Sequence, residues 1–241
     1  MSRTHTTIVE TRGGRLTAVA EPGPTIAPDE ARRFLALFAE LLVDVRVVVL
    51  SGSLPPGLPD DYYATLLDRA TAAGVPAVLD TSGRALAPAL AAAPLLAKPN
   101  SAEAAALLRE DSGDADAAVR AGREARARGA RLVAVSRGAE GAVLVGEAGV
   151  WSAHVEAPEP LDATGSGDAF VGGFVAALCT AVDGGAAARV EDALARADVL
   201  ARALTLATAC GAANTRTLGA GILRPDDIAR FRAAAVVTRL A

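Results

Sequence analysis

A chain of 241 residues, 51% of them hydrophobic and with a formal net charge of -4, can bury a full core; this argues against disorder and against a nucleic-acid surface. Aromatics make up only 3%, so the core must be assembled from small aliphatic contacts. Two histidines and no Cys/His cluster at zinc spacing argue against a transition-metal site. Cys179 and Cys210 both lie in apolar helical patterns and read as buried free thiols of a reducing compartment. The first eight residues are polar with no apolar run behind them, unlike a secretion signal or a membrane anchor. The expectation is a soluble cytoplasmic protein without nucleic-acid or membrane partners.

Two short β-prone runs, 6–10 and 16–20, joined by Thr-Arg-Gly-Gly, predict a hairpin that stands apart as a flap over residues 1–24. Pro22-Gly23-Pro24 ends it, and residues 25–241 read as one further domain. There, helix 28–43 precedes the apolar run 45–50, which has the character of a strand buried on both faces. The logic repeats: helix 60–73, strand 75–80, helix 85–92, strand 95–98, helix 102–108, helix 115–128 and strand 132–136. Residues 141–145 and 150–152 read as antiparallel strands, and the rest as helices over 169–181, 190–212 and 225–235. This alternation predicts a layered α/β domain with a mostly parallel sheet, whose ligands bind beyond the carboxyl ends of the strands.

The polar clusters fall at those ends. Asp162-Ala163-Thr164-Gly165-Ser166-Gly167-Asp168 runs directly into an apolar helix, so small residues let amides gather at the positive helix end beside a carboxylate. Fixed donors for an anion next to a proton acceptor suit phosphoryl transfer to an alcohol. A plain N-cap with glycines for tight packing explains the isolated segment equally. Ser51-Gly52-Ser53-Leu54-Pro55-Pro56-Gly57 offers two hydroxyls on a stiff loop, or only a turn. In Lys98-Pro99-Asn100-Ser101-Ala102-Glu103, Asn100 and Glu103 could cap a helix or, with Lys98 near a phosphate chain, supply the oxygen donors that magnesium prefers. Ser136-Arg137-Gly138-Ala139-Glu140-Gly141 could turn beneath a nucleotide, and Asp80-Thr81-Ser82-Gly83 reads as an Asx-type turn.

Taken together and in this order, these loops resemble the PfkB, or ribokinase-like, family of carbohydrate kinases, over essentially the whole chain. Ser-Gly-Ser-Leu-Pro-Pro-Gly, Asp-Thr-Ser-Gly and Glu21-Pro22-Gly23-Pro24 are closest to the branch that phosphorylates sugar phosphates. The resemblance implies a ribokinase-like α/β/α fold with a β flap. It also implies ATP-dependent phosphorylation of fructose 1-phosphate, tagatose 6-phosphate or fructose 6-phosphate. Asp168 would be the catalytic base. ATP would lie on Lys98, Asn100, Ser136, Arg137, Gly138, Ala139, Glu140, Gly141, Thr164, Gly165, Gly167 and Asn214. The sugar phosphate would meet Arg3, Ser51 and Ser53, and Mg2+ would sit on Asn100 and Glu103. Carbonyls around Asp162, Thr164, Asn214 and Gly219 would correspond to a monovalent-cation site of some relatives.

One departure stands out. Family members carry, ahead of the flap, a strand bearing a sugar-binding aspartate, a G-G-K-G-x-N-type segment and a βαβ unit, with no counterpart in these residues. This implies an incomplete sugar half-site and an uncovered apolar sheet edge, hence self-association as a homo-oligomer or instability. A second reading is therefore a non-catalytic ATP-binding relative or regulatory subunit. A dinucleotide-dependent oxidoreductase ranks last, because Gly165-Ser166-Gly167 lacks a third glycine and lies late in the chain.

Overall fold

The computed structural model describes residues 3–10, 16–109 and 114–241. The chain opens with β1 (His5–Val9) and β2 (Leu16–Ala20), paired antiparallel with His5 opposite Ala20 and Val9 opposite Leu16. Every residue of both strands is exposed, so they form a two-stranded sheet standing off the core. The turn expected between them lies outside the described residues.

The rest builds one seven-stranded sheet in chain order from β3 to β9. β3 (Val48–Ser51), β4 (Ala77–Asp80), β5 (Leu96–Ala97) and β6 (Leu132–Ser136) are parallel neighbours; β3, expected to be buried on both faces, instead lies at the edge of the described sheet with Val49 exposed. β7 (Ala142–Gly146), β8 (Gly149–His154) and β9 (Val236–Arg239) extend the sheet antiparallel. Alternate strand residues feed two cores. Ala77, Leu79, Val133 and Val135 meet α1 (Pro28–Leu41), α2 (Tyr62–Ala72), α3 (Leu86–Ala91) and α5 (Ala115–Ala127) on one face. Val78, Leu132 and Ala134 meet α6 (Ser166–Asp183) and α7 (Ala197–Asn214) on the other. The result is the layered α/β/α arrangement the alternation predicts. α6 is long and apolar enough to cross a membrane, and it packs along α7 within the second core.

Two elements differ from expectation. The predicted helix 190–212 is broken at Arg196, whose extended backbone separates a 3-10 turn, Asp192–Ala195, from α7. Its guanidinium donates to the Ala186 carbonyl and to Asp198, which ties down the break. After α8 (Pro225–Ala234) the chain forms β9, unforeseen because four mostly exposed residues carry little pattern; pairing with β8 supplies what the local signal lacks. α4 (Ser101–Leu108) follows β5 directly, so the loops ending β3 to β6 converge with the start of α6 along one rim of the sheet.

Candidate active site

The start of α6 is built from both ends of the chain's second half. Gly165 caps the helix at φ 81°, a left-handed conformation that favours glycine, and a Cβ there would lie 2.6 Å from that of Ala220. Asp162 accepts the Thr164 amide at 2.8 Å and the Gly219 amide at 3.2 Å; the Thr164 hydroxyl first, and then these amides, hold its carboxyl below the usual range against the opposing effect of burial. Asn214 is fully buried. Its amide nitrogen donates to the Thr164 carbonyl (2.7 Å) and Ser166 Oγ (3.2 Å), while its oxygen accepts the Gly221 amide (2.8 Å). Asn214 thus braces the glycine loop from behind rather than lining the cleft. Thr164 and Gly165 likewise belong to this scaffold. Of the first-turn amides of α6, that of Ser166 is taken by the Ala163 carbonyl (3.1 Å), which leaves those of Gly167 and Asp168 at the positive helix end.

Asp168, in that first turn, is exposed and accepts a 2.9 Å hydrogen bond from Ser51 Oγ at the end of β3. Ser53, two residues on, accepts from Arg3 Nη1 at 3.5 Å. The three residues expected to meet a sugar phosphate are therefore brought beside the expected base. Sequence reasoning missed what holds them there. Tyr63 donates to the Ser51 and Gly52 carbonyls at 3.1 and 2.9 Å, and Thr81 donates to the Gly52 carbonyl at 2.8 Å. Burial pushes the Tyr63 phenol up, so it remains a donor.

Lys98 is the only lysine of the chain, and it is buried. Its Nζ lies 3.2 Å from Asp80 Oδ2, so the Asp80 carboxylate forms an ion pair with it; the sequence had suggested only a turn. A Cβ at Gly167 would come within 3.2 Å of the same Nζ, which places the ammonium directly against the first turn of α6. Burial raises the Asp80 carboxyl, Lys98 offsets that, and the nearby charges of Glu103 and Asp168 push it up again. Three carboxylates and one ammonium thus share this corner.

Beside them opens a cleft of about 810 Å³, in the size range of small-molecule sites. Lys98, Asn100, Ser136, Arg137, Gly138, Ala139, Gly141 and Gly167, which the resemblance assigns to ATP, line it together, with Gly211, Ala212 and Thr215. Glu140 instead forms an ion pair with Arg137. Phe170, at the end of the glycine-rich stretch, lines the cleft as well, as do Val155 and Thr208, which no local motif marks, since they reach it only through the packing of β8 and α7. Among the described residues, two buried side-chain polar atoms lack a partner, Arg137 Nε and Thr208 Oγ1, and both residues line this cleft. Buried polar groups are normally satisfied, so a polar ligand fits here. Asn100 and Glu103 form the capping box: the Glu103 amide donates to Asn100 Oδ1 (3.0 Å) and the Asn100 amide to Glu103 Oε2 (2.9 Å).

A family profile described as pfkB family carbohydrate kinase matches residues 2–226. A curated relative, 1-phosphofructokinase from Xanthomonas campestris pv. campestris, is 39% identical over 181 residues, covering 73% of this chain and 57% of its own length. Phosphofructokinase-2 from Escherichia coli, solved in complex with potassium, superposes with a TM-score of 0.78 at 26% identity, over 94% of this chain and 69% of its own. A possible 1-phosphofructokinase from Thermotoga maritima superposes at 0.76 over 99% of this chain and 71% of its own; at 21% identity it shows the shared fold.

Proposed function

Because this chain belongs to the pfkB family of carbohydrate kinases, we propose that it carries the nucleotide site and catalytic base of an ATP-dependent sugar-phosphate kinase. The favoured reaction is that of a 1-phosphofructokinase, fructose 1-phosphate to fructose 1,6-bisphosphate, with tagatose 6-phosphate and fructose 6-phosphate as the other candidate acceptors. The observation that carries this is Asp168: a carboxylate in the first turn of α6, between the Ser51 loop and a cleft with unsatisfied polar atoms.

In this mechanism Asp168 takes the proton of the acceptor hydroxyl as its oxygen bonds to the γ-phosphorus, while the bond from that phosphorus to the β-γ bridging oxygen breaks and ADP leaves. Amides at Gly165 to Gly167 stabilise charge growing on the transferred group. Lys98, held by Asp80, faces the phosphates; Arg137 and Thr208 turn their free polar atoms to the nucleotide. Arg3 and Ser53, at the root of the flap, meet the sugar's phosphate, and Ser51 orients Asp168. Glu103 commits Oε2 to its cap, which leaves Oε1, beside Asn100, for a hydrated Mg2+. Bound there, the ion would neutralise phosphate charge. The knot of Asp162, Thr164, Asn214 and Gly219 is the candidate monovalent-cation site, in keeping with the potassium complex of the Escherichia coli relative.

Free Cys179 and Cys210 support a cytoplasmic setting, and exposed Ile8, Val9, Leu16 and Val19 make the flap a self-association surface. The second reading, a chain that binds ATP without turnover, is favoured by one observation: the acceptor side is open along β3 and α1. ADP release by the purified chain with Mg-ATP, with and without each of the three sugar phosphates, tests both. Stimulation by fructose 1-phosphate is the expected result; nucleotide binding without stimulation by any sugar supports the second reading.

A further inference from the structure

The chain turns away from the sheet directly after Ser51, and at Gly52 the backbone takes φ 101°. A Cβ there would meet nothing within 4 Å, so conformation and not space calls for glycine, the residue most free to leave any one conformation. Among the described residues β3 pairs with β4 alone, so no ladder steadies this turn from the outer side. The hold has to come from within.

It comes from Tyr63 on α2 and from the end of β4. The peptide between Ser51 and Gly52 is gripped at both poles: its N–H donates to the Asp80 carbonyl at 2.9 Å, and its carbonyl accepts from the Tyr63 phenol at 3.1 Å. The next carbonyl, that of Gly52, accepts from Thr81 Oγ1 at 2.8 Å and from the same phenol at 2.9 Å. One phenolic proton is thus shared by two successive carbonyls, and neither peptide can rotate without losing a buried partner. Asp80 and Thr81 are neighbours with divided duties. The Asp80 carboxylate pairs with Lys98 beside the first turn of α6, whereas the Thr81 hydroxyl holds the loop whose serine meets Asp168.

We propose that Tyr63 and Thr81 are positioning residues for phosphoryl transfer: they clamp the Ser51–Gly52 peptide to the end of β4 and so fix Ser51, and through it Asp168, relative to the Lys98 corner. This role rests on the kinase reading above. Both side chains are buried and act through Ser51, not on a reacting atom. Tyr62 is the natural control. It precedes Tyr63 in the first turn of α2 and is as buried, 6% exposed against 7%, but its hydroxyl donates to the Ala31 carbonyl of α1 and not to the Ser51 loop.

The test compares Tyr63→Phe with Tyr62→Phe in steady-state kinetics with Mg-ATP and fructose 1-phosphate, and in amide hydrogen exchange of the ligand-free chains. Each variant loses one buried hydroxyl, so a merely structural role would make them behave alike. Tyr63→Phe should lower kcat about 10- to 100-fold with the KM for ATP unchanged. It should also speed exchange of the Gly52 amide about three- to tenfold. Tyr62→Phe should do neither. Thr81→Val should follow Tyr63→Phe, and Thr81→Ser, which keeps the hydroxyl, should restore the parent kcat. Equal kcat in the two tyrosine variants, or unchanged Gly52 exchange in Tyr63→Phe, would overturn the proposal and leave the kinase reading intact. A parent chain that releases no ADP in response to any of the three sugar phosphates removes the kinase reading instead, and Gly52 exchange alone then decides whether the clamp exists.

Discussion

The sides of the rim proposed to hold nucleotide and acceptor are finished to different degrees. On the first, the glycine loop is locked by Asp162 and Asn214, Lys98 is buried against Asp80, and the cleft is walled by α6 and α7. On the second, Ser51 sits on an edge strand, Arg3 reaches it from an exposed flap, and apolar side chains of α1 face solvent. On the proposed reading, the ATP site is preorganised by this packing, whereas the acceptor site stands on an edge strand with no described strand beyond it. Misplacing an acceptor by about 1 Å can already cost around a hundredfold in rate.

Asp168 joins the two sides, and its removal should have the largest effect. Asp168→Asn is expected to lower sugar-dependent turnover by about 10²–10⁴-fold with ATP affinity kept; undiminished turnover would separate the base from this residue. Lys98→Ala comes next. It strands the Asp80 carboxylate in a buried place, at a cost of up to about 3–5 kcal/mol in denaturant unfolding, and weakens nucleotide binding. Because Lys98 is the only lysine, a dialdehyde derivative of ATP should modify one side chain, and that labelling should disappear in the variant.

Thr208→Val sharpens the contrast more gently. If only a ligand satisfies that hydroxyl, calorimetry should show nucleotide affinity falling by about 0.5–1.5 kcal/mol with no loss of thermal stability; unchanged affinity would mean that nucleotide does not use it. The smallest effect is confined to acid. Asp162 has a lowered pKa in the fold, so its stabilisation is present above the ordinary value of 3.8 and is lost as pH falls through the folded value. Melting curves below that value should show Asp162→Asn narrowing its deficit against the parent chain, and a deficit independent of pH would rule out this linkage.

The parallel half of the fold was legible because each run from Val48 to Ser136 is apolar, short and separated by a helical period. β9 and the break at Arg196 were not, since both depend on partners far along the chain. In the site, the expected cleft residues from Lys98 to Gly141 lie together, as strand-end loops of neighbouring strands must. Asn214 is different: the family resemblance implied a nucleotide contact, whereas packing turned its amide nitrogen into the glycine loop and its oxygen onto the Gly221 amide.

By itself, then, the sequence determined the layered class, the rim on which chemistry gathers and the residue types available there, because periodicity and turn chemistry are local. Only the tertiary structure decided the roles that need distant partners. Asp80 became the counter-ion of Lys98, Tyr63 and Thr81 became the clamp on Ser51, and two polar atoms were left without partners in the cleft. It also decided that Phe34, Leu37 and Leu41 of α1 stay exposed, with no described strand beyond β3. Amphipathic spacing says which residues are apolar, but which of two apolar faces is covered depends on where the sheet ends.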